Sequence, residues 1–218
     1  MIGFSPSVTK ACTAWLSIGS RSPASVATRE FDRVHSSGMR DFTTIVSGLP
    51  RSGTSMAMQM IVAGGIAPLT DSLRAADADN PRGYFEYERV KALRNDKTWL
   101  DEAQGKVVKI IHMLLLELPT DRPYKVVFME RELGEVLASQ SKMLERLGRS
   151  GATLAPARLR AVYEAQLKQV HAHLAAHSCF EVLRVPYADA VAQPAAQAAR
   201  IQAFLGGSLR LDAMVAAV

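Results

Sequence analysis

Residues 43–56, TTIVSGLPRSGTSM, join a β-branched run to a glycine-containing loop and then to a helix-forming segment. The run Thr43 to Ser47 predicts a buried parallel strand. The segment Ser55 to Val62 predicts a helix that ends at Gly64 and Gly65. A strand, a loop and a helix in this order aim backbone N–H groups and the positive end of the helix dipole at one point. This stretch therefore predicts a loop that binds phosphate or sulfate.

The loop differs at one position from the pattern that binds nucleoside triphosphates. G-x-x-x-x-G-K-[ST] is matched at Gly48, Gly53 and Ser55, but Thr54 stands where that pattern has lysine. Arg51 supplies a fixed positive charge with planar donors, and the hydroxyls of Thr54 and Ser55 can add further donors. A loop without the lysine is poorly equipped for γ-phosphoryl transfer. The alternative to an anion-binding loop is a Gly-Ser turn that starts a helix and binds no ligand.

Strand and helix patterns alternate along the rest of the chain. The apolar runs predict strands at 106–111, 124–129 and 180–185, and the 3.6-residue periodicity predicts helices at 132–146, 153–177 and 188–205. This alternation predicts an α/β fold with a mostly parallel sheet. We expect residues 1–40, which are rich in Ser, Arg and Ala, to be a flexible N-terminal extension, and residues 41–218 to form a single domain.

Composition narrows the class of protein. The chain has 218 residues, of which 48% are hydrophobic and 22% charged, as in an ordinary soluble globular protein. No apolar run reaches the roughly 20 residues of a membrane span. The net charge of +5 favours anionic partners. Two isolated cysteines, Cys12 and Cys179, predict neither a disulfide framework nor a metal site, so we expect a reducing, cytoplasmic location.

A second anion-binding motif lies in residues 124–144, YKVVFMERELGEVLASQSKML. Arg131 follows the predicted strand, and Ser139 lies eight residues later in the predicted helix. A guanidinium at a strand end and a hydroxyl two turns into the next helix can flank one phosphate from two sides. Together with GLPRSGTSM, this pair resembles the sulfotransferases that use 3′-phosphoadenosine 5′-phosphosulfate (PAPS). These enzymes pass a sulfonate group to a hydroxyl or an amine.

The resemblance implies a P-loop-type, three-layer α/β/α fold and PAPS as the donor, with the 3′,5′-bisphosphate PAP as product and no metal. It accounts for the missing lysine, because this donor has no γ-phosphate. A third segment, residues 180–207, resembles the family through Tyr187, Asp189, Pro194 and the sequence Phe204-Leu205-Gly206, and we expect it to pack rather than to react. The residues implied to bind the donor are Arg51, Ser52, Gly53, Thr54 and Ser55 at the 5′-phosphosulfate and Arg131 and Ser139 at the 3′-phosphate.

Sulfonate transfer also needs a general base and a charge that stabilises the leaving oxygen. In residues 106–119, KVVKIIHMLLLELP, His112 precedes Pro119 by seven residues, as in cytosolic members of the family, and its near-neutral pKa suits a base. Lys109 lies three residues earlier rather than two, so on a regular strand it faces away from His112 unless a bulge or the end of the strand intervenes. The alternative for His112 is a structural histidine at the end of an apolar strand, satisfied by backbone partners. Glu86 is the second candidate base, since carbohydrate sulfotransferases often use a glutamate. Arg51, with Lys109 as a second cation, is the candidate for stabilising the leaving oxygen.

Two alternatives stay open. One is a small-molecule kinase or other NTPase with a degenerate loop. The other is a non-catalytic anion-binding protein, because the sequence stops at Val218 without the Arg-Lys-Gly element that helps to hold the 3′-phosphate in cytosolic relatives. The expected partner is a small-molecule, glycan or lipid acceptor rather than a nucleic acid, and the sequence leaves the oligomeric state open.

Overall fold

Four parallel strands form the sheet of the computed structural model, which describes residues 40–71, 83, 85–146 and 155–218. The predicted extension lies outside the described residues except for Arg40. The strand order is β2-β1-β3-β4, and every neighbouring pair is parallel. This confirms the predicted α/β fold and its parallel sheet. The strands are β1 (Thr43–Gly48), β2 (Val107–Lys109), β3 (Tyr124–Glu130) and β4 (Phe180–Pro186).

Helices cover both faces of this sheet. The α-helices are α1 (Thr54–Gly64), α2 (Leu133–Arg146), α3 (Pro156–Ala176), α4 (Tyr187–Ala192), α5 (Pro194–Phe204) and α6 (Leu211–Ala216). Two 3-10 helices span Glu88–Ala92 and His112–Glu117. No helix in the described part of the chain combines the length and the apolar character needed to cross a bilayer.

Two buried clusters explain the three layers. Side chains alternate along a strand, so Ile45 and Val46 of β1 point to opposite faces. Ile45 belongs to a cluster with Trp99 and with Val170 of α3. Val46 belongs to a second cluster with Met58 of α1, Ile201 of α5 and Met214 of α6. Because each face of the sheet has its own apolar cover, the strands are apolar along their whole length.

Proline accounts for one departure from the predicted elements. The helix predicted over 188–205 is two helices, which meet at Gln193 and Pro194. Gln193 has φ −135° and ψ 59°, outside the helical region. A residue before proline is pushed out of the helical conformation, so the first helix ends there and proline starts the next one.

The second departure concerns the strand predicted over 106–111. β2 ends at Lys109, and the chain turns through Ile110 and Ile111 into the 3-10 helix that begins at His112. The Ile110 N–H still bonds to the Val46 carbonyl at 3.0 Å, one residue beyond the end of β2. The end of the strand therefore lies between the two predicted site residues, Lys109 and His112. The short helix α6 is an addition that the sequence patterns did not predict.

Candidate functional site

The carboxyl ends of the four strands lie at one edge of the sheet and carry most of the predicted site residues. The loop 49–53 follows β1, and Lys109 is the last residue of β2. Arg131 follows β3, and Tyr187 follows β4. In an open parallel sheet this edge is where ligands bind.

The loop after β1 has a tight, partly left-handed backbone. The Ser52 N–H donates to the Leu49 carbonyl at 3.1 Å, which closes the turn. Arg51 has φ 68° and Gly53 has φ 96°. α1 begins at the next residue, Thr54, and its first turn carries no acidic side chain. The positive end of the helix dipole therefore faces the loop without a neutralising charge.

Three cationic side chains meet at this loop. The Lys109 ammonium donates to the Ser55 hydroxyl at 3.0 Å. The Arg51 Nε donates to the Ser139 hydroxyl at 3.0 Å, and Arg131 Nη1 donates to the Arg51 carbonyl at 3.0 Å. β2 therefore contacts the first turn of α1 through Lys109, and the second motif contacts the loop through Arg131 and Ser139.

Arg131 is held from three directions. Its Nε donates to the Glu135 carboxylate at 2.9 Å, one turn into α2. Its Nη1 bonds to the loop carbonyl, and its guanidinium carbon lies 4.3 Å from the centre of the Tyr187 ring. The same ring lies against the loop, because a Cβ built on Gly53 would come within 2.5 Å of it.

The two predicted hydroxyl donors next to Gly53 differ in their setting. Ser52 is only 1% exposed, and its Oγ lies beneath the end of β1, 2.5 Å from the place where a Cβ on Gly48 would be. Within the described residues this hydroxyl has no hydrogen-bond partner. Thr54 is half-buried at the start of α1. Their roles as donor-binding residues stay predictions.

His112 is buried beside the start of the loop. The side chain is 3% exposed, and Nε2 lies 2.9 Å from the Gln166 amide oxygen on α3. Burial lowers the pKa of the ring, while the Gln166 side chain and the Gly48 backbone oppose the shift. Nδ1 has no partner of normal hydrogen-bond geometry in the described part of the chain. The ring is therefore neutral at pH 7, with one nitrogen engaged by α3.

Glu86 lies in the segment that leads into the 3-10 helix Glu88–Ala92. Its carbonyl oxygen accepts hydrogen bonds from the Thr70 hydroxyl at 2.8 Å and from the Asp71 N–H at 3.4 Å. The preceding residue, Phe85, has φ 51°, a left-handed conformation that is strained for a bulky side chain. Such strain is concentrated at functional segments. Glu86 stays a candidate base by prediction.

Two side chains at the site were not predicted as functional residues. Gln166 contacts His112 from a long amphipathic helix, and Tyr187 contacts the loop and Arg131. Neither residue belongs to a short motif with a fixed chemical role. A glutamine on a helix and a tyrosine after a strand are common, so only the tertiary contacts distinguish these two.

Solved structures that the chain resembles include sulfotransferases and retinol dehydratase. The sulfotransferase STF1 from Mycobacterium tuberculosis matches with a TM-score of 0.53 and 16% identity, over 89% of this chain and 74% of that one. A sulfotransferase from Alicyclobacillus acidocaldarius matches with a TM-score of 0.44 and 16% identity, over 78% of this chain and 82% of that one. Retinol dehydratase in complex with androsterone and the inactive cofactor PAP matches with a TM-score of 0.48 and 17% identity, over 85% of this chain and 65% of that one.

No protein-family model matches the chain, and no curated protein matches its sequence. The match to STF1 has the highest TM-score of the three and extends over most of both chains. The chain has a sulfotransferase fold. In this sulfotransferase fold the lysine-free loop and the Arg131 motif lie at the carboxyl edge of the sheet, in contact with each other. The identity of 16% limits the likeness to the fold, so the site chemistry rests on the chain's own residues.

Proposed function

We propose that the protein transfers a sulfonate group from PAPS to a hydroxyl or an amine of an acceptor molecule. The observation that carries this proposal is the meeting of Arg51, Lys109 and Arg131 at a phosphate-type loop without the triphosphate lysine. An arginine, an ammonium group and a helix N-terminus at one place suit a strongly anionic ligand. A sulfotransferase fold supports the same reaction class.

The charge distribution of the donor fits these residues. PAPS is anionic at its 5′ end and again at its 3′ end, whereas the charge of a nucleoside triphosphate lies at one end. Arg51 is proposed to bind the 5′-phosphosulfate, and Ser139 the 3′-phosphate. These two side chains bond to each other at 3.0 Å, so the proposed subsites adjoin. Adjoining subsites suit a nucleotide with two anionic groups.

The proposed transfer takes place in line. The acceptor hydroxyl gives its proton to a base while its oxygen attacks sulfur, and the bond from sulfur to the bridging phosphate oxygen breaks. The products are a sulfate ester and adenosine 3′,5′-bisphosphate. Negative charge develops on the bridging oxygen as the bond breaks. Arg51 and Lys109 would lower the barrier by stabilising this charge more than they stabilise the bound donor.

His112 is our proposed general base, with Glu86 as the alternative. Burial keeps the His112 ring neutral at pH 7, which is the form that accepts a proton. The Gly48 backbone beside the ring belongs to the last residue of β1, directly before the anion loop. A His112→Asn variant should lose about 10²- to 10⁴-fold in kcat and keep bisphosphate affinity within about threefold. If Glu86→Gln loses turnover instead, Glu86 is the base.

Ligand-dependent stabilisation tests the donor class. We expect adenosine 3′,5′-bisphosphate at about 100 times its Kd to stabilise the protein by about 2.7 kcal/mol, and Mg·ATP to give no comparable shift. Thermal unfolding with each nucleotide measures this. Stabilisation by Mg·ATP alone would favour the kinase alternative and would overturn sulfonate transfer.

Mass spectrometry then tests turnover. The protein is incubated with PAPS and a panel of sugars, phenols, lipid headgroups and tyrosine peptides, and the acceptors are searched for an added sulfonate. Bisphosphate binding without any transfer to this panel would favour the non-catalytic alternative.

Two arginines at opposite ends of β3 provide a matched control. Arg131 follows the carboxyl end of the strand at the site, whereas Arg122 precedes its amino end and pairs with Asp101. Arg131→Ala should weaken bisphosphate binding at least about tenfold, and Arg122→Ala should leave it unchanged. Equal losses in both variants would show a general effect of net charge instead of a site.

A further inference from the structure

We propose that Tyr187 is a positioning residue that holds the Arg131 guanidinium against the anion loop. This inference rests on the proposed function, because it assigns Arg131 to the 3′-phosphate of the donor. Tyr187 is the first residue of α4, directly after β4, and belongs to the same edge of the sheet as the loop. It contacts the loop and the arginine with one ring.

The contact with the loop is close. Gly53 lies so near the Tyr187 ring that a Cβ at this position would come within 2.5 Å of Cδ2 and 3.1 Å of Cε2. The ring also packs against the apolar cluster that contains Val46 and Met129. Its position is therefore fixed by the sheet on one side and by the loop backbone on the other.

The Tyr187 ring contacts Arg131 above the guanidinium plane, whereas the hydrogen bonds of the guanidinium lie within that plane. The guanidinium carbon lies 4.3 Å from the ring centre, within the range of a cation–π interaction. In its own plane the guanidinium bonds through Nε to Glu135 and through Nη1 to the Arg51 carbonyl. Two in-plane bonds and one stacked face fix both the position and the orientation of the group.

This arrangement leaves three guanidinium N–H groups for the ligand, one on Nη1 and two on Nη2, since the described residues engage only the other two. With Nε and Nη1 engaged, Nη2 makes no hydrogen bond to any residue in the described ranges. An arginine whose other donors are satisfied presents the remaining N–H groups in a fixed direction. We infer that the ring, through Arg131, sets the preference of the site for a nucleotide that carries a 3′-phosphate. In this proposal Tyr187 acts through Arg131 and does not contact the nucleotide.

The test compares two probes, adenosine 3′,5′-bisphosphate and adenosine 5′-phosphate, by calorimetry. The ratio of their affinities measures what the 3′-phosphate contributes. Tyr187→Leu should lower this ratio about 5- to 20-fold, because the cation–π contact is lost. Tyr187→Phe keeps the aromatic face and should retain the ratio within about twofold. In Arg131→Ala the ratio should be low already, and adding Tyr187→Leu should lower it no further.

Three results would overturn the proposal. One is an unchanged ratio in Tyr187→Leu, and another is a further loss in the double variant. The third is an equal loss for both probes, which would mean that the ring contacts the nucleoside directly. Arg131→Lys is a second test that leaves Tyr187 in place, since lysine keeps the charge and loses the planar stack. It should lower the ratio, and a full retention would also overturn the proposal.

A double-mutant cycle of unfolding free energies tests the contact between Tyr187 and Arg131 independently of the proposed function. Urea unfolding of the wild type, Tyr187→Leu, Arg131→Ala and the double variant gives a coupling free energy between ring and guanidinium without any ligand. One outcome is a favourable coupling in a wild type that binds adenosine 3′,5′-bisphosphate no more tightly than adenosine 5′-phosphate. This outcome would support the contact between ring and guanidinium and would reject the assignment of the donor. The absence of coupling would overturn the positioning role itself.

Discussion

At the scale of single residues, Gly53 illustrates how the loop constrains its own sequence. Its φ of 96° lies in the left-handed region, and the Tyr187 ring occupies the space where a side chain would begin. Gly65, at the other end of α1, has φ 116° but nothing within 4 Å of a Cβ. The two glycines share the backbone requirement and differ in the steric one, so they form a matched pair.

Substitution of these two glycines by alanine should separate the two effects. Gly65→Ala should cost about 1–2 kcal/mol of unfolding free energy, because only the left-handed conformation is penalised. Gly53→Ala should cost more and should also weaken bisphosphate binding, since the Tyr187 ring must move from the loop and from Arg131. Urea unfolding and calorimetry measure both quantities. Equal costs with unchanged binding would mean that the ring is not held against the loop.

At the scale of elements, α3 reaches the site through one hydrogen bond. Gln166 of α3 accepts from His112 at the start of a 3-10 helix, and the imidazole is almost completely buried. Gln169, three residues later on the same helix, is exposed. A buried ring nitrogen that loses its side-chain partner keeps its desolvation cost, whereas loss of an exposed amide costs little because water solvates that position.

We therefore expect Gln166→Leu to lower the free energy of unfolding by about 1–3 kcal/mol, and Gln169→Leu to change it by less than about 0.5 kcal/mol. If His112 is the base, Gln166→Leu should also lower kcat, because the ring loses its fixed orientation. Chemical denaturation and steady-state kinetics test these effects. Similar stabilities of the two leucine variants would show that the hydrogen bond to His112 contributes nothing measurable.

The elements differ in how well sequence patterns predict them. The β-branched and apolar runs predicted three of the strands to within about two residues, since a strand covered on both faces has a continuous apolar sequence. The pattern over 106–111 overestimated the fourth strand. Ile110 and Ile111 continue the apolar run beyond Lys109, so the sequence pattern does not distinguish them from strand residues. In the structure Ile110 is buried, whereas Ile111 is 49% exposed. Pro194 did carry the signal for the break between α4 and α5, and the helical periodicity around it hid that signal.

The same contrast holds for the candidate site. Motif spacing predicted Arg51, Ser55, Arg131 and Ser139. The structure joins Arg51, Arg131 and Ser139 by hydrogen bonds, and it places Ser55 in contact with Lys109 in the first turn of α1. The contact of Tyr187 with Gly53 joins segments that lie far apart in the sequence. Contacts of this kind depend on strand order and on the length of each strand. No local pattern contains that information. The sequence marked Tyr187 only as part of a packing segment, and the contacts of Gln166 and Tyr187 with the site became evident only in the folded chain.

At the scale of the whole molecule, burial of histidines links stability to pH. His112 is almost fully buried, and burial is the main cause that lowers its pKa. Burial also lowers the pKa of His171, with Arg184 acting in the same direction and Glu130 opposing it. Burial is also the main cause that lowers the pKa of His173, and the neighbouring His177 lowers it further by a smaller amount. Each ring therefore binds a proton less readily in the folded state than in the unfolded chain.

These shifts predict a loss of stability on mild acidification. Above a pH of about 6.5, the ordinary pKa of histidine, the rings are neutral in both states and cause no loss. As the pH falls through this value, the unfolded chain takes up protons that the folded chain does not. Proton binding therefore stabilises the unfolded state relative to the folded state. The free energy of unfolding should fall between about pH 7.5 and about pH 5.5, a window above the titration of the carboxylates.

A double variant, His112→Asn with His171→Asn, should show a shallower pH dependence than the wild type, whatever its absolute stability. Urea unfolding at several pH values measures both slopes. The slope is the informative quantity, because removal of one buried ring and one partly buried ring lowers stability at every pH through lost packing. A wild type that becomes more stable on acidification, or a double variant with an unchanged slope, would contradict the assignment of these rings as neutral in the folded protein.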